Sequence, residues 1–158
     1  MKKRWAIRGC LGLLILGTGL SPHPAFAGDS LYGKVKEVKS AGVVVLDYGA
    51  GQYDIRIVGI DVPREGPMAD KAKEFVAKLV LGKNARIRFE GRAKDGQMVS
   101  RLSTDEPDIG IKDVGLELVR VGLARKTKDY DYKYGELAAA EKEAREAKRG
   151  LWASPPPK

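Results

Sequence analysis

The sequence predicts an α+β domain, mainly β: a small five-stranded barrel with three helices, the outline of an OB-fold. Three observations lead there. Runs with strand periodicity crowd residues 31–60, a helical period replaces them at 68–81, and two further strand-like runs precede two helix-forming segments. At 158 residues, 43% hydrophobic and 32% charged, the chain has the length and composition of one globular domain with a short tail.

Residues 31–39 (LYGKVKEVK) alternate apolar and charged side chains, the period of a half-buried strand. A Ser40-Ala41-Gly42 turn leads into the β-branched run 42–48 (GVVVLDY), and Gly49-Ala50-Gly51 turns the chain into a third strand over 53–60 (YDIRIVGI). Residues 61–67 (DVPREGP) break regular structure. Over 68–81, Ala72, Phe75, Val76, Leu79 and Val80 share one helical stripe, with Lys and Glu opposite and Gly82 as the stop. Residues 85–90 (ARIRFE) and 98–102 (MVSRL) read as strands around a turn at Gly96. Asp113 suits the N-cap of a short helix running through Arg120 and ended by Gly122. Residues 136–149 (ELAAAEKEAREAKR) are strong helix formers with Gly150 as terminator. Leu151 and Trp152 can fold back as an apolar lid, and 153–158 form a Pro-rich tail.

Residues 1–27 carry a different signature. Lys2, Lys3, Arg4 and Arg8 make a basic segment, 10–20 is a short apolar run, and Ala25-Phe26-Ala27 has the small-x-small pattern of a cleavage site. This reads as a secretory signal peptide, hence an exported protein, periplasmic or extracellular. A retained N-terminal anchor is the alternative, but the run is short for a membrane span, and none is expected after cleavage. Cleavage would start the mature chain at Gly28. Four of the 29 Lys and Arg, and none of the 21 Asp and Glu, lie in the leader, so the formal charge falls from +8 to +4. The one cysteine and one histidine, Cys10 and His23, leave with it. A mature chain without them excludes disulfides, thiol or histidine catalysis and the usual zinc sites. Any metal would be a hard cation on oxygen ligands, such as Ca²⁺.

The segment Ile55-Arg56-Ile57-Val58-Gly59-Ile60-Asp61-Val62-Pro63 resembles R-L-x-G-I-D-A-P-E of the staphylococcal nuclease (SNase, thermonuclease-like) family. The match continues through Lys71-Ala72-Lys73-Glu74-Phe75 to Leu81-Gly82-Lys83. It returns at Leu116-Glu117-Leu118-Val119-Arg120-Val121-Gly122-Leu123-Ala124 and ends on Arg149-Gly150-Leu151-Trp152. The pieces stand in the family's order, and the resemblance implies an SNase-like OB-fold domain over residues 28–152. It also implies Ca²⁺-dependent hydrolysis of DNA and RNA phosphodiester bonds. Such chemistry needs a carboxylate-held cation, phosphate-binding arginines and a water-positioning glutamate, and no histidine.

Carried over residue by residue, the resemblance makes Arg56 the phosphate-binding arginine and Asp61 a calcium ligand. Spacing alone reads Arg56 as a strand's solvent-face residue and Asp61 as a turn residue. Three positions depart from the family. Arg64 stands where the catalytic glutamate follows the proline; Glu65, one place on, is a displaced candidate, and a misplacement of about 1 Å costs about a hundredfold in rate. The acidic D-G-D-T-V turn is here Lys39-Ser40-Ala41-Gly42-Val43, without a carboxylate, leaving Asp47 and Asp54 as the nearby candidates to substitute. Gln97, in Ala93-Lys94-Asp95-Gly96-Gln97, replaces the second phosphate arginine, and Arg101 is expected to point elsewhere.

Ca²⁺ takes about six to eight oxygen ligands, and losing one preorganised charge-stabilising group costs about 10²–10³ in rate. The expected function is therefore a weak or inactive nuclease that acts as a binding module for DNA, RNA or another polyanion, or for a protein. Ca²⁺ is needed only if the protein is active. The alternative is an active Ca²⁺-dependent endonuclease with Glu65 as its glutamate. The mixed charges of the last helix read as solvated ion pairs rather than a nucleic-acid surface. Tyr130, Tyr132 and Tyr134, near Lys126 and Lys128, either stack bases or pack their loop onto the barrel.

Overall fold

The computed structural model describes residues 30–49, 51–106 and 110–153; the leader and residues 154–158 of the tail lie outside them. The chain forms β1 (Ser30–Ser40), β2 (Val43–Asp47), β3 (Gln52–Ile57), β4 (Ile60–Asp61), α1 (Pro67–Val80), β5 (Asn84–Arg92) and β6 (Met98–Glu106). These are followed by β7 (Gly110–Asp113), α2 (Val114–Arg120), β8 (Arg125–Lys126), α3 (Glu136–Glu146) and a 3₁₀ turn, Gly150–Trp152. Hydrogen-bonded neighbours run β3-β2-β1-β5-β6-β7, and a further β3–β6 pairing closes five of these strands into a barrel. All pairings in the barrel are antiparallel except β3–β6, which is parallel. This is the α+β, mainly β, OB-fold barrel with three helices that the residue pattern predicts.

Apolar periodicity explains the strands, and local backbone devices explain its exceptions. In β3, Ile55 and Ile57 are buried while Arg56 between them faces out. In β1 the buried pair Val35 and Val38 is three residues apart, out of step with a period of two. Register shifts against β2 at Val35/Glu37 and Val38/Ser40 absorb the mismatch, as bulges do. The expected third strand ends early, at Ile57. Gly59 takes φ +77°, which breaks the ladder and sends Ile60 and Asp61 to pair with Lys126 and Arg125 of β8. Two-residue strands such as β4 and β8 are too short to register as periodicity, and β7 was not anticipated either.

α1 packs on β1, α2 on β6, and α3 on α2 and β8. α1 buries Ala72, Val76 and Val80, with Phe75 and Leu79 partly covered, so the stripe seen in the sequence is the face that packs. Its start uses Gly66 at φ 87° and Pro67; its exit is tied to β1 by Gly82 N–H to Val35 O and Val35 N–H to Lys83 O, both 2.9 Å. In α2 the predicted cap is present: Asp113 accepts from Leu116 N–H at 3.0 Å. α3 stops three residues short of the expected Arg149. Lys148 turns to φ 50° and the Arg149 amide bonds back to Ala144 O, a C-terminal closure that ends the helix despite its helix-forming composition. Leu151 N–H then reaches Gly122 O at 2.8 Å, so the segment folds back as anticipated. A Cβ on Gly122 would overlap the Arg149 carbonyl, and one on Gly150 the Gly122 carbonyl, which is why glycine stands at both places.

The 126–135 loop packs rather than projects. Tyr132 is 4% exposed, gives its hydroxyl to Asp113 at 2.9 Å and lies under the Arg101 guanidinium, 3.7 Å from its ring centre. Arg101 also donates to Asp113 at 3.0 Å. One carboxylate thus caps α2, holds Arg101 and anchors the loop. Tyr130 packs edge-on to Tyr132, while Tyr134 remains exposed. Among the described residues no helix is long and apolar enough to cross a membrane.

Two stability outcomes follow. A methyl at Gly59 would meet Tyr130 at 2.6 Å and Leu137 at 2.8 Å in addition to its positive φ. Gly59→Ala is therefore expected to cost about 2–4 kcal/mol in denaturant unfolding, and a loss well under 1 kcal/mol would refute this packing. Burial first, and then the Asp113 carboxylate, push the Tyr132 phenol above its ordinary value of 10.0. The unfolded chain ionises this group near that pH and the folded chain does not, so its contribution is complete below it and lost as pH rises beyond it. Unfolding midpoints between about pH 9 and pH 11 should fall more steeply for the natural chain than for Tyr132→Phe, and parallel curves would show the phenol is uninvolved.

Candidate functional site

β3 carries Arg56 on the outer wall of the barrel, opposite Val43 of β2 and, through the parallel closure, beside Val99 of β6. That closure brings the β5–β6 turn within reach. Arg56 Nε donates to Gln97 Oε1 at 3.0 Å and Nη2 to Asp95 Oδ2 at 3.2 Å, although these partners lie about forty residues away in sequence. The turn itself is tightly tied. Ala93 N–H bonds to Gln97 O, Gly96 N–H to Ala93 O, Gln97 N–H to Asp95 Oδ1 at 3.1 Å, and Arg92 Nη1 to Gly96 O. The structure therefore joins the two positions that the resemblance linked, Arg56 and Gln97, and adds Asp95.

Asp61 belongs to a separate two-stranded sheet, the pairing of β4 with β8. It lies exposed on β4, cross-strand from Arg125, and lines an open groove of about 1120 Å³ between β8 and α3. Lys128, Arg145 and Trp152 also line the groove, and the Arg125 and Arg145 guanidinium groups stack on the Trp152 ring at 5.2 and 4.2 Å. Glu65, with Arg64, is exposed in the bend before α1. Among the described residues no hydrogen bond or ion pair joins Asp61, Glu65 and Arg56.

The other carboxylates raised as candidate ligands face cations. Lys39, in the turn where the family is acidic, donates to both oxygens of Asp54 at 2.8 and 2.7 Å. Asp47 pairs with Lys36 at 3.5 Å and accepts from Gly49 N–H. Among the described residues no group of three or more His, Cys, Asp or Glu side chains is placed to hold a metal ion. A Ca²⁺ ion needs about six to eight oxygens, so the donors present at Asp61 do not make a carboxylate cage. Arg101 does point away from Arg56's partners, held by Asp113 and Tyr132. On α3, Glu141–Arg145 and Lys142–Glu146 pairs at 3.0 and 3.8 Å match the ion-paired reading of that face.

Two features were not legible in the sequence. In the sequence Asp95 is only part of a turn, and nothing in its spacing shows that its carboxylate meets Arg56. The one sequence signal for the Trp152 groove is an aromatic residue beyond the last helix, with Arg145 seven residues before it.

Similarity to known proteins agrees with the motif order. A probable endonuclease LCL3 of Verticillium alfalfae is 34% identical over 110 residues, covering 62% of this chain and 38% of that protein. A probable staphylococcal-like nuclease CAN1 of Oryza sativa subsp. japonica is 33% identical over 109 residues, covering 68% of this chain and 31% of that protein. The chain thus matches between about a third and two fifths of the length of these curated relatives. Residues 54–154, well over half of the chain, match the family profile described as staphylococcal nuclease homologue, from β3 through the closing turn. The barrel, its helices and this match together place the chain in the staphylococcal nuclease homologue family.

Proposed function

We propose that this protein is an exported module that binds DNA, RNA or a similar polyanion at Arg56 and hydrolyses it weakly or not at all. The observation that carries the reading is the engagement of the candidate ligand carboxylates: Asp54 is held by Lys39 and Asp47 by Lys36, which leaves Asp61 without partners for a cation cage. Arg56 supports the binding half. It is surface-placed, and a guanidinium matches phosphate oxygens in two-point geometry. The names of the relatives, probable endonuclease and probable staphylococcal-like nuclease, point to a nucleic-acid ligand. A protein ligand is the weaker form of the same reading, since Arg56 and the names of the relatives both favour a nucleic acid.

An active Ca²⁺-dependent nuclease is the second reading, favoured by the retention of Asp61 and Arg56 and by Glu65, which carries no ion pair among the described residues. In that case Asp61 would hold the cation, Arg56 would bind the phosphate, and Glu65 would orient the water. The cation would supply charge neutralisation.

The deciding measurement incubates the purified protein with labelled DNA and RNA, with and without Ca²⁺. The expected result is binding that weakens with salt, little cleavage, and a loss of about five- to twentyfold in affinity for Arg56→Ala, with the salt slope reduced by about one. Efficient Ca²⁺-dependent cleavage abolished by Asp61→Ala would overturn the binding-module reading in favour of the enzyme. Export has its own check. N-terminal sequencing of protein recovered outside the cytoplasm should begin at Gly28, and recovery of an intact Met1 terminus would contradict leader cleavage.

A further inference from the structure

The turn beside Arg56 places a negative charge where an anionic ligand would go. Arg56 presents two usable edges: Nε with Nη2 along its side, and Nη1 with Nη2 at its tip. Gln97 and Asp95 fill the side edge, at 3.0 and 3.2 Å. Nη1 has no partner among the described residues. Carboxylate and phosphate oxygens meet a guanidinium edge in the same planar two-point geometry, so one excludes the other from that edge.

Resting on the proposed binding role of Arg56, we propose that Asp95 is an internal competitor that sets the affinity of this site for polyanions. Its position is prepared in advance. The second Asp95 oxygen accepts from the Gln97 amide, and three more hydrogen bonds, from Ala93, Gly96 and Arg92, hold the turn. The turn leads into β6, whose Val99 is paired with Arg56 itself, so the carboxylate and the guanidinium sit on one rigid unit. The Asp95 carboxylate is thus already held by the Gln97 amide when it meets Arg56.

The strength of this competitor is set by solvent. The Arg56 and Asp95 side chains are 47% and 51% exposed, and exposed ion pairs shift an equilibrium by a few-fold at most. Displacement by phosphate is therefore easy. A single small anion gains little over the carboxylate it replaces. A strand held through several phosphates loses that gain at only one of its contacts. Each loses the same few-fold factor at this contact, so Asp95 lowers the affinity of the site for both.

Fluorescence anisotropy with a labelled single-stranded DNA oligonucleotide, in EDTA so that no cleavage intervenes, tests this with Asp95→Asn, Arg56→Ala and the double variant. Asparagine keeps an acceptor for the Gln97 amide, and Asp95→Ser serves as a second variant with the same property. Asp95→Asn and Asp95→Ser should each tighten binding about two- to fivefold, and the double variant should show no such gain over Arg56→Ala. If Arg56→Ala weakens binding while both Asp95 variants bind like the natural chain, the competitor role is overturned and the Arg56 reading stands. A gain that persists in the double variant overturns it too, since it would then reflect net charge alone. If no variant binds the oligonucleotide, the reading of Arg56 falls as well.

Discussion

The parallel pairing of β3 with β6 is the constraint on which the rest of this structure depends. Every other ladder of the barrel joins strands that follow one another or cross antiparallel; this one closes the cylinder. It aligns Ile55, Arg56 and Ile57 with Met98, Val99 and Ser100. The inward members of that set, Ile55, Ile57, Met98 and Ser100, are buried together with Val44, Ile87 and Leu102. On the outward side, Arg56 lies beside Val99 at the start of β6 and so reaches the β5–β6 turn. Core packing and site assembly are thus two faces of one register, and a slip of one residue would exchange them.

A second organising element is the way this chain disposes of charge. Asp113 is the clearest case, because it satisfies a helix amide, a tyrosine hydroxyl and a guanidinium at once in a poorly exposed place. On the surface the pairs are looser. Lys39–Asp54, Lys36–Asp47 and Arg56–Asp95 each set a cation of the barrel wall against a carboxylate. Such exposed pairs add little to stability. Their larger effect is on availability, because a carboxylate facing a lysine is a poorer cation ligand and an arginine facing an aspartate is a poorer anion receptor.

The barrel strands were legible from apolar alternation, as at Ile55 and Ile57 of β3, and from β-branched runs bounded by turns, as at 42–48. Where legibility failed, a local backbone event overrode composition. The bulges of β1 let Val35 and Val38 share a face, Gly59 ended β3 after Ile57, and a left-handed Lys148 ended α3 before its alanine-rich run was exhausted. In the candidate site, Arg56 and Asp61 were readable only through a motif, and the tyrosine loop stayed open between stacking and packing. Packing prevailed for Tyr130 and Tyr132 because Asp113 and Arg101 offered the phenol of Tyr132 a buried partner and its ring a cation.

By itself the amino-acid order determined the fold class, the order of the five barrel strands and three helices, the family likeness and the three departures at Arg64, Gln97 and the Lys39 turn. These are local or collinear properties, written in periodicity and in residue identity. Which carboxylate meets which cation was decided by the tertiary structure alone. Arg56 and Asp95 are 39 residues apart, Lys39 and Asp54 15 apart, and Arg101 and Asp113 12 apart. Such pairs come within 3 Å or so only when strand register and barrel closure fix their geometry, and no spacing along the chain encodes that distance.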